Sequence, residues 1–174
     1  MKNIIYLFLV LLLPFLVCGQ SDTNEKEEEL IPLEHPESFA SLLKQFEGKV
    51  VYIDILASWC GPCMEELENS KKLDGYFKEN DVVKLYITID ASKDIGKCYS
   101  LLHAKSLTGY FTMLHPAVGE HTQFFNDMAD LFFSSGQIEI PRYAIVNKEG
   151  KIVNKSASRP SSPGRLKQQL AKHL

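Results

Sequence analysis

The sequence predicts an α/β fold in which helices flank a central mixed β-sheet. Three observations carry that expectation. Val50–Leu56 is apolar but for Asp54, and residues 82–89 form a second run with the character of a buried strand; strands buried on both faces read this way in parallel sheets. A helical segment lies between them, as a parallel crossover requires. Near the C-terminus, Arg142–Val146 and residues 151–153 flank Asn147-Lys148-Glu149-Gly150, an antiparallel hairpin that makes the sheet mixed.

The helices follow from their apolar spacing. Residues 36–47 carry Phe39, Leu42, Leu43 and Phe46 at helical intervals, and Gly48 stops them. Residues 62–77 form the helix between the two central strands. Residues 92–104 set Ile95, Cys98, Tyr99 and Leu102 on one face, and residues 121–133 have Phe124, Phe125, Met128, Leu131 and Phe132 as their stripe. A last helix, 165–174, presents Leu166, Leu170 and Leu174. The chain has no internal repeat.

With 174 residues and a net charge of −3, there is room for one domain with a real core. No basic cluster supports a nucleic-acid partner. Lys2 followed by the apolar residues 4–17, interrupted only by Tyr6 and Pro14, is too short for a comfortable membrane span and reads as an export signal. The expected layout is a signal over 1–19, an acidic tether over 20–32 and one domain over 33–174. Cys18 directly after the apolar run fits a lipoprotein whose cysteine is lipid-modified, although Val17 is bulky for that processing. Cleavage after Gly19 and an uncleaved anchor are the other readings. The tether carries Asp22, Glu25, Glu27, Glu28 and Glu29 against Lys26, so it has nothing to bury before Leu30.

Trp59-Cys60-Gly61-Pro62-Cys63 is the chemical signature. It sets two thiols one helical turn apart after the first central strand, at the strand-to-helix turn where α/β folds carry their chemistry. A cysteine at a helix N-terminus sits among unpaired N–H groups that favour its thiolate, the nucleophile of disulfide exchange. Cys60 is the expected attacker and Cys63 the resolver, with Pro62 suited to the first helical turn. A structural staple is disfavoured because so short a loop removes little chain entropy. A metal site is also disfavoured: no second Cys-x-x-Cys exists, and Cys98, His103, His115 and His121 lack ligand-pair spacing. A carrier using Cys60 and Cys63 as soft ligands for copper remains the alternative from another class.

Asp54 stands six residues before Cys60 in an otherwise apolar strand. Burial should raise its pKa, and such a group can take the proton of Cys63; an edge aspartate paired with lysine or water is the bland reading. Cys98, on an apolar helix face, reads as a small buried hydrophobe. Glu65 and Glu66 lie near the thiols, with an effect on reactivity that has no sign from sequence. Trp59 reads as a shield and a flat contact surface.

Ala57-Ser58-Trp59-Cys60-Gly61-Pro62-Cys63 at a strand end, Ile140-Pro141 before the hairpin and the Lys148-Glu149-Gly150 turn resemble the thioredoxin-like superfamily. The segment from Ile140 to Val153, together with the export signal, narrows the resemblance to the exported TlpA/ResA-like thiol-disulfide oxidoreductases of bacterial cell envelopes, over residues 33–174. That resemblance implies a thioredoxin fold in which Pro141 is cis and faces the disulfide, and the backbone of Ile140 pairs with a bound substrate strand. Trp59, Gly61 and Pro62 are the other expected substrate contacts, and a buried acid at the position of Asp54 serves the resolving thiol. It implies, too, that residues 107–120 and the helix after them form an insertion, read as a partner gate or as a solvated connection. The family's branch is mostly reductive, serving cell redox homeostasis and steps such as cytochrome c maturation. The expected protein is therefore a monomer without a cofactor, in the periplasm or cell envelope, exchanging with protein thiols and fed by a membrane electron donor.

Overall fold

The computed structural model describes residues 29–114, 122–133 and 139–174. The signal with Cys18, the tether up to residue 28, and parts of the expected insertion (115–121 and 134–138) lie outside the described residues.

Two seven-residue strands, β2 (Val50–Leu56) and β3 (Val82–Thr88), pair in parallel at the centre of a six-stranded sheet. Both are buried along their whole length, which is why their sequences read as apolar runs. On the other side of β2, the hairpin β5 (Arg142–Val146) and β6 (Ile152–Asn154) runs antiparallel. With β1 (Leu30–Pro32) and β4 (Gly109–Met113), the order is β1-β4-β3-β2-β5-β6.

Alternation along β2 divides the core in two. Val51, Ile53 and Ile55 pack with Leu42 and Leu43 of α1 (Phe39–Lys44) and with Phe124, Met128 and Phe132 of α5 (Gln123–Phe132). Val50, Tyr52 and Leu56 face the opposite layer. That layer holds α2 (Gly61–Lys71), α3 (Asp74–Glu79), α4 (Ile95–Ala104) and α6 (Pro163–Leu170). Ser38 caps α1 by accepting from the Ser41 N–H at 3.1 Å, and Ser41 answers the Ser38 N–H at 3.0 Å.

Three expectations change. The helix expected over 62–77 is two helices, because the Leu73 N–H bonds the Ser70 carbonyl at 2.9 Å, a tightened last turn that drops Leu73 and Phe77 onto Tyr52. Residues 107–120, expected as part of an insertion that gates partners or serves as a solvated connection, contain β4, which pairs in parallel with β3. The tether's last three residues, Leu30–Pro32, pair with β4 as the edge strand β1, and Leu30 is buried. Gly109 makes the junction fit: its φ is +123°, and a Cβ there would stand 2.7 Å from the Lys84 carbonyl oxygen. Lys84 itself is buried, held by Asp74 and by the Thr108 hydroxyl at 2.7 Å.

Candidate active site

Cys60 ends the turn after β2 and is the N-cap of α2: its backbone is extended, and its sulfur accepts the Cys63 N–H at 3.2 Å. Gly61 and Pro62 open the helix, where a missing N–H costs nothing. The two sulfurs are joined at 2.03 Å, with 5.2 Å between the Cα atoms. The difference between the two thiols is not one of open surface, since Cys60 and Cys63 are 5% and 2% exposed. The asymmetry lies in the cap position instead. Trp59 is 68% exposed beside them, and a Cβ on Gly61 would meet no atom within 4 Å, so a partner has room to approach.

The turn before Cys60 is held by a residue that sequence reasoning missed. Asp90, just past β3 and fully buried, accepts the Ser58 N–H at 2.8 Å and the Ser58 hydroxyl at 2.7 Å, and also bonds the Thr88 hydroxyl. Burial pushes this carboxyl up, but the donors from Thr88 and Ser58 outweigh it and hold the group below the usual carboxylate range. Cys98 sits in the same cluster, 3.5 Å from the Thr88 hydroxyl, and burial pushes its thiol up to about 12. It is fully buried, as a small hydrophobe would be.

Asp54 lies on the face of β2 that carries Tyr52 and Leu56, toward α2, and is 3% exposed. Burial holds its carboxyl well above the usual range, and the charge of Glu66 adds to the effect. Glu66 was expected near the thiols, but its burial was not expected from the sequence. Cys63, Glu66, Leu67 and Ser70 are the buried stripe of α2, so Glu66 faces inward one turn after Cys63, whereas Glu65 stays exposed. Its carboxylate accepts the Ser161 N–H at 2.8 Å and hydroxyl at 2.7 Å, with Arg159 at 3.7 Å. The spacing 63, 66, 67, 70 was the available signal; a mixed polar stripe obscured it.

Ile140–Pro141 is cis. Ile140 packs against the cluster that contains both active cysteines. Arg142 pairs with Ile55, so one further step of that register sets Pro141 against Leu56, four residues before Cys60. A cavity of about 190 Å³ opens there among Glu139, Pro141, Tyr143, Ser156 and Arg159. A larger one, about 720 Å³, lies at the other end of the sheet among Lys49, Asp81, Val82 and Gly109, away from the thiols. Among the described residues, no group of three or more His, Cys, Asp or Glu side chains is placed to hold a metal ion.

The Redoxin family model matches residues 33–170. The chain belongs to the Redoxin family. Its mixed six-stranded sheet, with the Cys60–Cys63 pair at a strand-to-helix turn, is thioredoxin-like. Among Redoxin relatives, the thiol-disulfide oxidoreductase ResA of Bacillus thuringiensis is 23% identical over 111 residues, 64% of this chain and 56% of that protein. The match thus spans little more than half of that relative's length. A crystal structure of a candidate thiol-disulfide oxidoreductase from Bacteroides vulgatus is 33% identical, with a TM-score of 0.56, covering 76% of this chain and 83% of that one. The exposed lipoprotein thioredoxin of Streptococcus pneumoniae, 22% identical with a TM-score of 0.51, shares the fold over 75% of this chain and 89% of its own. In this Redoxin chain Asp54 on β2 and Glu66 on α2 are both buried.

Proposed function

We propose that this chain is an exported, membrane-tethered reductase of protein disulfides, working through the Cys60–Cys63 pair. The observation that carries the reading is Cys60 as the N-cap of α2, its sulfur already the acceptor of a helix N–H. In the reduced protein the Cys60 thiolate attacks a substrate disulfide; a mixed disulfide forms at Cys60, and one substrate sulfur leaves as a thiolate. Asp54, as carboxylate, then takes the proton of Cys63. The Cys63 thiolate attacks the Cys60 sulfur, forming the Cys60–Cys63 bond and expelling the second substrate thiolate, which takes a proton from solvent. An acid whose pKa burial has raised toward that of a thiol is a well-matched base for this transfer.

Trp59, Gly61, Pro62, Ile140 and Pro141 form the docking surface of this reading, with a substrate strand alongside Ile140. Export rests on Lys2 and residues 4–17, and the tether on Cys18 with the acidic stretch that follows. A reductase in an oxidising compartment needs electrons from a membrane donor. The deciding experiment is equilibration of the pair with a glutathione buffer, alongside an assay of insulin-disulfide reduction. A potential more reducing than the glutathione couple, with insulin reduced, supports the reading. An oxidising potential near that of a periplasmic oxidant overturns the direction.

A further inference from the structure

Asp54 has two in-register neighbours, Tyr86 on β3 and Tyr143 on β5. Side chains paired in this way project to the same face of a sheet, so a phenol flanks the carboxyl on each side. All three residues are buried, at 3%, 1% and 4% exposure. Asp54 Oδ1 and both phenol oxygens have no hydrogen-bond partner among the described residues. Ser70 of α2 reaches toward the Tyr86 hydroxyl without completing a bond. Tyr52 makes the contrast: on the same face two residues earlier, it gives its hydroxyl to the Ser158 carbonyl at 2.9 Å.

Buried polar groups are paired with protein or with ordered water, and a buried water usually has about three partners. Two phenols and one carboxyl supply that set: the water accepts from both hydroxyls and donates to Oδ1. Burial holds both phenols far above their usual range, so they keep their protons and can donate them in hydrogen bonds. We propose that the Tyr86 and Tyr143 hydroxyls, through one bridging water, form a donor cradle for the Asp54 carboxyl, making both tyrosines positioning residues for its proton exchange with Cys63. This rests on the reading of Asp54 as the base for Cys63. The tyrosines keep their protons; the one proton that moves goes from the Cys63 sulfur to Asp54.

Donors aimed at a carboxyl favour its ionised form. The cradle therefore opposes the two influences that raise the Asp54 pKa, burial and the charge of Glu66 on α2. The other titratable or charged groups on this face include Tyr52, Lys84 in register with it on β3, Asp74 on α3, which pairs with Lys84 and acts on Tyr86, and Arg159 after β6, which acts on Tyr143. Loss of one donor leaves fewer Asp54 carboxylates at neutral pH and slows the resolving step.

The test uses reduced full-length protein carrying Cys18→Ser, in which Cys98 is buried, and dithiobisnitrobenzoate; of the two fast thionitrobenzoate releases, the first comes from attack by Cys60 and the second from resolution by Cys63. Tyr143→Phe and Tyr86→Phe should each slow the second release about tenfold at pH 7, the equivalent of one pH unit. Each should also move the pH profile of that release upward and leave the first release unchanged. Tyr52→Phe should move neither. In an Asp54→Asn background, Tyr143→Phe should have no further effect on the second release. An unmoved profile in the folded Phe variants, or an undiminished effect without Asp54, overturns the cradle while Asp54 keeps its role. A second release unchanged by Asp54→Asn alone overturns the role of Asp54 and the cradle with it. The two tyrosines sit on separate strands, so misfolding of one variant leaves the other to decide.

Discussion

Ser58 gives both its backbone N–H and its hydroxyl to the Asp90 carboxylate, at 2.8 and 2.7 Å, so the turn that presents Trp59 and Cys60 hangs from the end of β3. The turn and the thiol are therefore positioned by a residue 32 places further along the chain. Asp90→Ala removes the acceptor and leaves buried donors unpaired, which should cost about 2–4 kcal/mol in a denaturant titration at pH 7. The sign with pH follows from the lowered pKa: this stability is present above the unfolded carboxylate value, about 3.9, and is lost as pH falls through the folded one. An Asp90→Ala variant as acid-sensitive as the parent would contradict it.

Asp54 has the opposite sign. Its folded pKa is raised, so its contribution to stability is fully present below the unfolded value and is lost as pH rises through the folded one. Asp54→Asn should therefore match or trail the parent near pH 4 and gain on it toward pH 8, measured by denaturation midpoints. The same variant should slow resolution of mixed disulfides at least about tenfold while sparing the first attack. Equal slowing of both steps would remove the assigned role.

Glu66→Gln keeps an acceptor for the Ser161 N–H and deletes the charge that helps raise the Asp54 pKa. The pH profile of the resolving step should move downward, with little loss of stability. An upward shift would mean that Glu66 acts on Asp54 by some route other than its charge.

The division of labour between the thiols is open to trapping. With Cys63→Ser, disulfide-linked complexes at Cys60 should accumulate in cells and dissolve in reductant, and with Cys60→Ser almost none should form. Fast alkylation of Cys63 rather than Cys60 near pH 7 would reverse the roles.

Compartment is decided by fractionation. The full chain should be recovered with the cell envelope, and metabolic lipid labelling should disappear in Cys18→Ala. A protein found in the cytosol with residues 1–19 intact would end the export argument.

What sequence alone conveyed was whatever depends on near neighbours. β2 and β3 announce themselves because burial on both faces leaves little choice of residue, and the hairpin is marked by its turn. Cys60, Cys63 and Asp54 stand out for the same local reason, two thiols one turn apart and one acid in an apolar run. β1 and β4 escaped because a three-residue edge strand and a five-residue strand entered through Gly109 are too short for a period to register. The break at Lys72 depends on Leu73 and Phe77 finding Tyr52, a contact across the fold. Asp90 and Glu66 gain their meaning from Ser58 and Ser161, separated from them by 32 and 95 residues. Tyr86 and Tyr143 read as ordinary strand aromatics until register puts them either side of Asp54.

The clamp of Ser161 on Glu66 also orders events during synthesis. A growing chain exposes Cys60 and Cys63, then β3, long before Ser161 follows, 95 residues after Glu66. Nascent protein thus holds both sulfurs before the carboxylate beneath them has its partners. Only when the final loop has packed does Glu66 have its Ser161 partner, so the C-terminal quarter of the chain, which contains neither Cys60 nor Cys63, completes the surroundings of the pair.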